Sequence, residues 1–114
     1  MITNDQWLQL EVDDVSSTRL AERDLDYRTV AADAEGYPEW IAVVARGFLE
    51  NELSPEQTAA ARLRNVYRRN TGVYDSTAPM ADSPVATLAS WRGLLSVPGG
   101  TDIPACAISS VTVS

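Results

Sequence analysis

Val85-Ala86-Thr87-Leu88-Ala89-Ser90-Trp91-Arg92-Gly93-Leu94-Leu95-Ser96-Val97 leads through Pro98-Gly99-Gly100-Thr101-Asp102 into Ile103-Pro104-Ala105-Cys106-Ala107-Ile108-Ser109-Ser110-Val111-Thr112-Val113. Two long runs rich in strand-forming residues flank one short cluster of turn residues. That pattern predicts an antiparallel hairpin. The second run carries Ile108, Val111 and Val113, which is too much apolar surface for a comfortable sheet edge. The expectation is therefore an unfinished domain, in which Ile103–Ser114 becomes an interior ribbon once an adjoining half covers it.

Outward from the hairpin, Gly72–Tyr74 reads as a short strand and 76–83 as a loop, with Pro79 inside it and Pro84 at its edge. Before them lies the clearest helix start in the chain. Ser54 can cap, Pro55 suits the first position, and Gln57 can reach back to close a capping box. Ala60, Leu63, Val66 and Tyr67 follow as its expected buried stripe. Arg64, Arg68 and Arg69 crowd its end, where cations favour the helix dipole, and Asn70-Thr71-Gly72 is the expected stop.

An earlier helix is predicted from Pro38, with Trp40, Ile41, Val44 and Phe48 recurring at three- and four-residue steps on one face. Gly47 weakens that helix, so the prediction is a close approach to its backbone. Asp26–Val30 reads as a first strand. Residues 1–25 are polar, acidic and weakly patterned, and read as a mobile leader with a helical turn around Ser17–Asp24. The predicted order after the leader is strand, helix, helix, strand, strand, strand, an α+β domain spanning 26–114.

Composition narrows the chemistry. With 114 residues, 45% of them hydrophobic, the chain allows one small domain. The net charge of −7 disfavours nucleic acid and anionic membranes as partners. All nine basic residues are Arg. Without Lys there is no Schiff base. Without His there is no Ser-His or Cys-His pair and no imidazole for a metal, and none is expected. The single Cys106 fits a reducing compartment, and no run is apolar for long enough to span a bilayer. A soluble cytoplasmic protein is the expectation.

Three stretches carry a family resemblance. The first runs from Tyr27-Arg28-Thr29-Val30 through the helix to Ala45-Arg46-Gly47-Phe48. The second runs from Pro84-Val85-Ala86-Thr87 through Ser90-Trp91 to Val97-Pro98-Gly99-Gly100. The third is Ala107-Ile108-Ser109-Ser110-Val111-Thr112-Val113-Ser114. Together they resemble the N-terminal half of a GNAT-type N-acetyltransferase, with the closest likeness to the enhanced intracellular survival (Eis) acetyltransferases. The likeness implies a GNAT fold with a mixed, mostly antiparallel sheet. It also implies acetyl-CoA as cosubstrate and acetyl transfer to a primary amine. In that family the fourth strand leads into an Arg/Gln-x-x-Gly-x-Gly/Ala loop whose backbone amides hold the coenzyme A pyrophosphate. The only partial match here, Arg69-Asn70-Thr71-Gly72-Val73-Tyr74, precedes a strand instead of following one, so it does not serve.

The resemblance assigns roles by position. The backbone of Val111, Thr112 and Val113 matches the strand that pairs with the pantetheine arm and polarises the thioester carbonyl. The general acid and base of the family have no counterpart among these residues. Phe48 and Trp91 match the acceptor side, although pattern alone reads both as core aromatics. Glu35, Glu39, Glu50 and Glu52 suit a small cationic acceptor such as an aminoglycoside or polyamine, or a protein lysine, or else form a solvated face. The Arg64, Arg68, Arg69 cluster reads mainly as dipole complementation and solubility, with phosphate binding as the alternative, and Cys106 reads as a small core residue. The alternative to an enzyme fragment is a non-catalytic module that pairs through its last strand, as a homo-oligomer or with another chain.

Overall fold

The computed structural model describes residues 3–48 and 51–113. Thr3 caps α1 (Asn4–Gln9) through a capping box with Gln6. Asp13 caps α2 (Asp14–Ala21) by accepting from the Ser16 amide, and that bond lowers the Asp13 pKa. There follow β1 (Leu25–Thr29), α3 (Tyr37–Gly47), α4 (Pro55–Asn65), β2 (Arg69–Asp75), β3 (Ala86–Val97) and β4 (Thr101–Val113). After the two leading helices the order is the predicted β-α-α-β-β-β. The four strands form one sheet in the order β1-β2-β3-β4, every neighbouring pair antiparallel. This is an α+β fold.

Alternation along β3 separates the two faces of the sheet. Ala89 is fully buried in the core formed with Tyr37, Trp40, Ile41 and Val44 of α3. Its neighbour Ser90 accepts a hydrogen bond from Trp7 Nε1 of α1 at 3.1 Å. α3 therefore covers one face and α1 the other. Trp40 is anchored at both ends: its ring stacks on Tyr37, and its indole N–H donates to the Thr71 carbonyl at 2.9 Å. A buried indole needs such a partner, and β2 supplies it.

Within residues 3–25, two capped helices stand where the sequence predicts one helical turn, and long-range bonds tie down α1 and the segment after it. Asn4 accepts from the Arg92 amide and donates to the Tyr67 carbonyl. Arg69 donates to the carbonyls of Leu10 and Glu11 and lies over the Trp7 ring. Weak hydrophobic patterning missed the segment because polar side chains, not an apolar stripe, hold it.

Two features of α4 also differ from expectation. The helix ends at Asn65, and Asn70-Thr71-Gly72 is not a stop but the middle of β2. Gly72 is there for space: a Cβ would lie 3.0 Å from the Tyr74 ring and 3.3 Å from Pro84. The expected stripe of α4 faces outward, with Leu63 75% and Tyr67 70% exposed and Val66 also exposed. Ala61 and Asn65 are its buried residues.

The hairpin forms as predicted, with Gly99 and Gly100 at positive φ closing the turn. It projects beyond the helices, so Leu94, Leu95 and Ile103 are exposed. The radius of gyration, 15.4 Å, exceeds the roughly 13 Å of a compact chain of this length, which fits the projection. Cys106 lies on this arm and is exposed, not in the core. Among the described residues, no helix is long and apolar enough to cross a membrane.

Candidate functional site

The predicted close approach to Gly47 is present, and it is made by Thr112. A Cβ on Gly47 would overlap the Thr112 side chain. The end of α3 thus rests directly on the end of β4, where the candidate backbone ligands Val111, Thr112 and Val113 lie. Thr112 is held from the other side by Thr87, whose hydroxyl meets the Thr112 hydroxyl at 2.6 Å and lies 2.8 Å from the Ser110 carbonyl.

That last bond marks a β-bulge. Thr87 pairs with Thr112 and Ala89 with Ser109, so Ser110 and Val111 together oppose Leu88. Ser110 takes a positive φ of 55° to make room. The bulge interrupts the ladder at Ser110 and Val111, next to Thr112 and Val113. β4 is also the edge of the sheet, so its outer main-chain groups have no strand partner among the described residues. Val111 and Val113 are exposed, and they border a shallow groove with Leu20 and Tyr27 on the α2 side. The expected interior ribbon is therefore the rim of an open sheet.

On the opposite face the bulge opens into a cleft of about 430 Å³ between α3 and α4. Ser110 lies at its floor. Ile41, Val44 and Phe48 of the α3 side and Leu53, Ala60 and Ala61 of the α4 side supply apolar walls. Gln57, Arg64, Asn65 and Arg68 supply the polar part. Phe48, the predicted acceptor-side aromatic, is 56% exposed and lines this cleft rather than the core. Trp91 does not line it. It is half-buried outside, beneath the guanidinium of Arg68, which lies 4.6 Å from its ring centroid.

Asn65 is buried and donates through Nδ2 to the Tyr37 hydroxyl, while its Oδ1 has no partner. Burial raises the Tyr37 pKa above its ordinary value. The Asn65 bond and the nearby guanidiniums of Arg64, Arg62 and Arg68 work in the opposite direction. Asn65 and Ser110 were missed by sequence reading. The Ser109-Ser110 pair inside an otherwise apolar strand was the signal for the bulge. Nothing in the sequence marked Asn65.

The acidic candidates lie elsewhere. Glu35 and Glu39 border a separate cleft at the start of α3, together with Asp82 and Arg28. Glu52 is exposed, and Glu50 lies outside the described residues. Arg69 belongs to β2, so the expected arginine cluster reduces to Arg64 and Arg68 at the α3/α4 cleft. No group of His, Cys, Asp or Glu among the described residues is arranged to hold a metal ion. Comparison with family models, with curated proteins and with solved structures finds no match.

Proposed function

We propose that this chain forms the thioester-facing and acceptor-facing half of a GNAT-type, acetyl-CoA-dependent N-acetyltransferase. The observation that carries the reading is the bulge at Ser110. It breaks the β3–β4 ladder beside Val111–Val113, at an open sheet edge next to a cleft. The β-α-α-β-β-β order after the leading helices supports the same reading. On it, the pantetheine arm of acetyl-CoA pairs with the edge of β4, and the acceptor amine enters from the α3/α4 cleft. The amine attacks the thioester carbonyl, and a backbone N–H near Val111 steadies the oxyanion of the tetrahedral intermediate. The intermediate then collapses with loss of coenzyme A thiol.

Phe48 forms a wall for the acceptor, and Trp91 acts on it only through Arg68. These 114 residues carry no counterpart of the family's pyrophosphate loop or of its proton-transferring groups, so on this reading the chain binds acetyl-CoA weakly.

Titration of the ¹⁵N-labelled chain with S-acetylpantetheine tests the proposal. Amide shifts are expected at Ser110–Val113 and across the edge of β4. Shifts confined to other regions would sink it. Micromolar binding of acetyl-CoA by this chain would contradict the division of the site between two halves.

A second reading rests on the same edge. Ile103, Ile108, Val111 and Val113 are all exposed on β4, a surface suited to strand pairing with another chain. Light scattering during size-exclusion chromatography separates the two readings. A discrete oligomer indifferent to acetyl-CoA favours a non-catalytic pairing module.

A further inference from the structure

The α3/α4 cleft has a charge character of its own. Two guanidiniums, Arg64 and Arg68, line it, and among the described residues no carboxylate does. The ion pair found among those residues is Arg28–Asp26, far along the sheet from the cleft. Complementing the dipole at the end of α4 accounts for Arg64 alone. It does not account for Arg68, which lies beyond the helix end with its guanidinium over the Trp91 ring. A guanidinium held on an aromatic face keeps its edge donors free for a planar anion.

Asn65, 4% exposed and bonded to the Tyr37 hydroxyl, belongs to the same wall. The remaining walls, Phe48, Leu53, Ala60, Val44 and Ile41, are apolar.

We infer that this cleft binds a small organic carboxylate with an apolar side chain. Arg64 and Arg68 hold the carboxylate, and Phe48 and Leu53 cover the apolar group. The binding claim stands on the cleft itself. Its link to chemistry rests on the acetyl-transfer reading: the acceptor is then amino-acid-like, with its amine toward Ser110 and its carboxylate toward the arginines. Two guanidiniums favour such an acceptor over the polycation suggested by the acidic residues, because a polycation would meet like charge here.

The test uses the ¹⁵N-labelled chain and three probes: L-phenylalanine, N-acetyl-L-phenylalanine and L-phenylalaninamide. The first two keep the carboxylate and should shift the amides of Gln57, Ala61, Arg64 and Arg68. The amide should bind about tenfold more weakly, the usual effect of losing a charge-assisted hydrogen bond. Arg64→Gln and Arg68→Gln should each weaken the acid by several-fold to about tenfold, while the dispersion of the remaining amide shifts reports an intact fold. Arg64 is exposed and Arg68 half-buried, so both variants should fold.

Equal binding of acid and amide overturns the inference. So does tighter binding of spermidine in the cleft, or indifference to both arginine variants. S-acetylpantetheine on the same samples separates the two claims. If it fails while the amino acid binds, the transfer reading falls and the carboxylate site stands. The reverse result removes the carboxylate site and leaves the transfer reading.

Discussion

α3 and α4 have the same length, 11 residues, and opposite fates. α3 has no side-chain cap, since Gly36 offers none, yet six of its residues are buried. α4 has a complete capping box, with Ser54 accepting from the Gln57 amide at 3.1 Å and Gln57 reaching back to the Ser54 amide, yet only two of its residues are buried. Start signals are satisfied within one turn of chain and so can be read locally. Burial depends on what lies opposite, and α3 lies on the sheet while α4 leans on α3 through small residues. Alanines at positions 60 and 61 leave the space that becomes the cleft, and the large apolar residues of α4 turn away from it.

The sharpest way to break this contrast is to truncate one large side chain on each helix. Trp40→Ala removes a fully buried ring and its bond to the Thr71 carbonyl, so it should cost about 3–5 kcal/mol and threatens folding of so small a domain. Leu63→Ala should change stability by about 0.5 kcal/mol or less. Urea denaturation reads both. A loss of several kcal/mol from the Leu63 change would mean that α4 buries its stripe after all.

Gly47→Ala sharpens the comparison at the tip of α3. In an exposed helix the change would stabilise by about 1 kcal/mol. Against Thr112 it should instead destabilise by about 1–3 kcal/mol, because the added methyl overpacks the junction. Thr112→Ser removes the methyl that blocks it and should recover part of the loss. A stabilising Gly47→Ala would show that β4 does not rest on α3. The same result would deprive Val111–Val113 of their support.

The smallest effect is a pH dependence. Burial raises the Tyr74 pKa above its ordinary value, and Arg28 over the ring pulls it down only in part. Desolvation likewise raises Tyr37. In both cases the folded state holds the proton more tightly than the unfolded chain. Stability is thus fully present below the unfolded tyrosine pKa, about 10, and is lost as pH rises through the folded value. Tyr74→Phe should make thermal stability less sensitive to pH in the alkaline range, with little change near neutrality. An unchanged alkaline slope would place Tyr74 outside the core.

Much of this arrangement could be read from the chain. The hairpin, the Gly99-Gly100 turn, the capping box at Ser54, and the stripe through Trp40 and Val44 each depend on neighbours within a few residues. The same local logic failed at Asn70-Thr71-Gly72. A stop signal and a tightly packed strand share those residues, and only pairing with β1 and β3 chooses between them.

The amino-acid order by itself determined the sequence of strands and helices after residue 25, because turn chemistry and hydrophobic period act over short distances. Tertiary structure alone decided that α4 faces outward, that Ser110 bulges beneath the α3/α4 cleft, and that Asn65 and Arg68 meet at its wall. Those outcomes depend on contacts between residues distant in the chain, such as Tyr37 with Asn65 and Thr87 with Ser110, and no local pattern encodes which partner will be there.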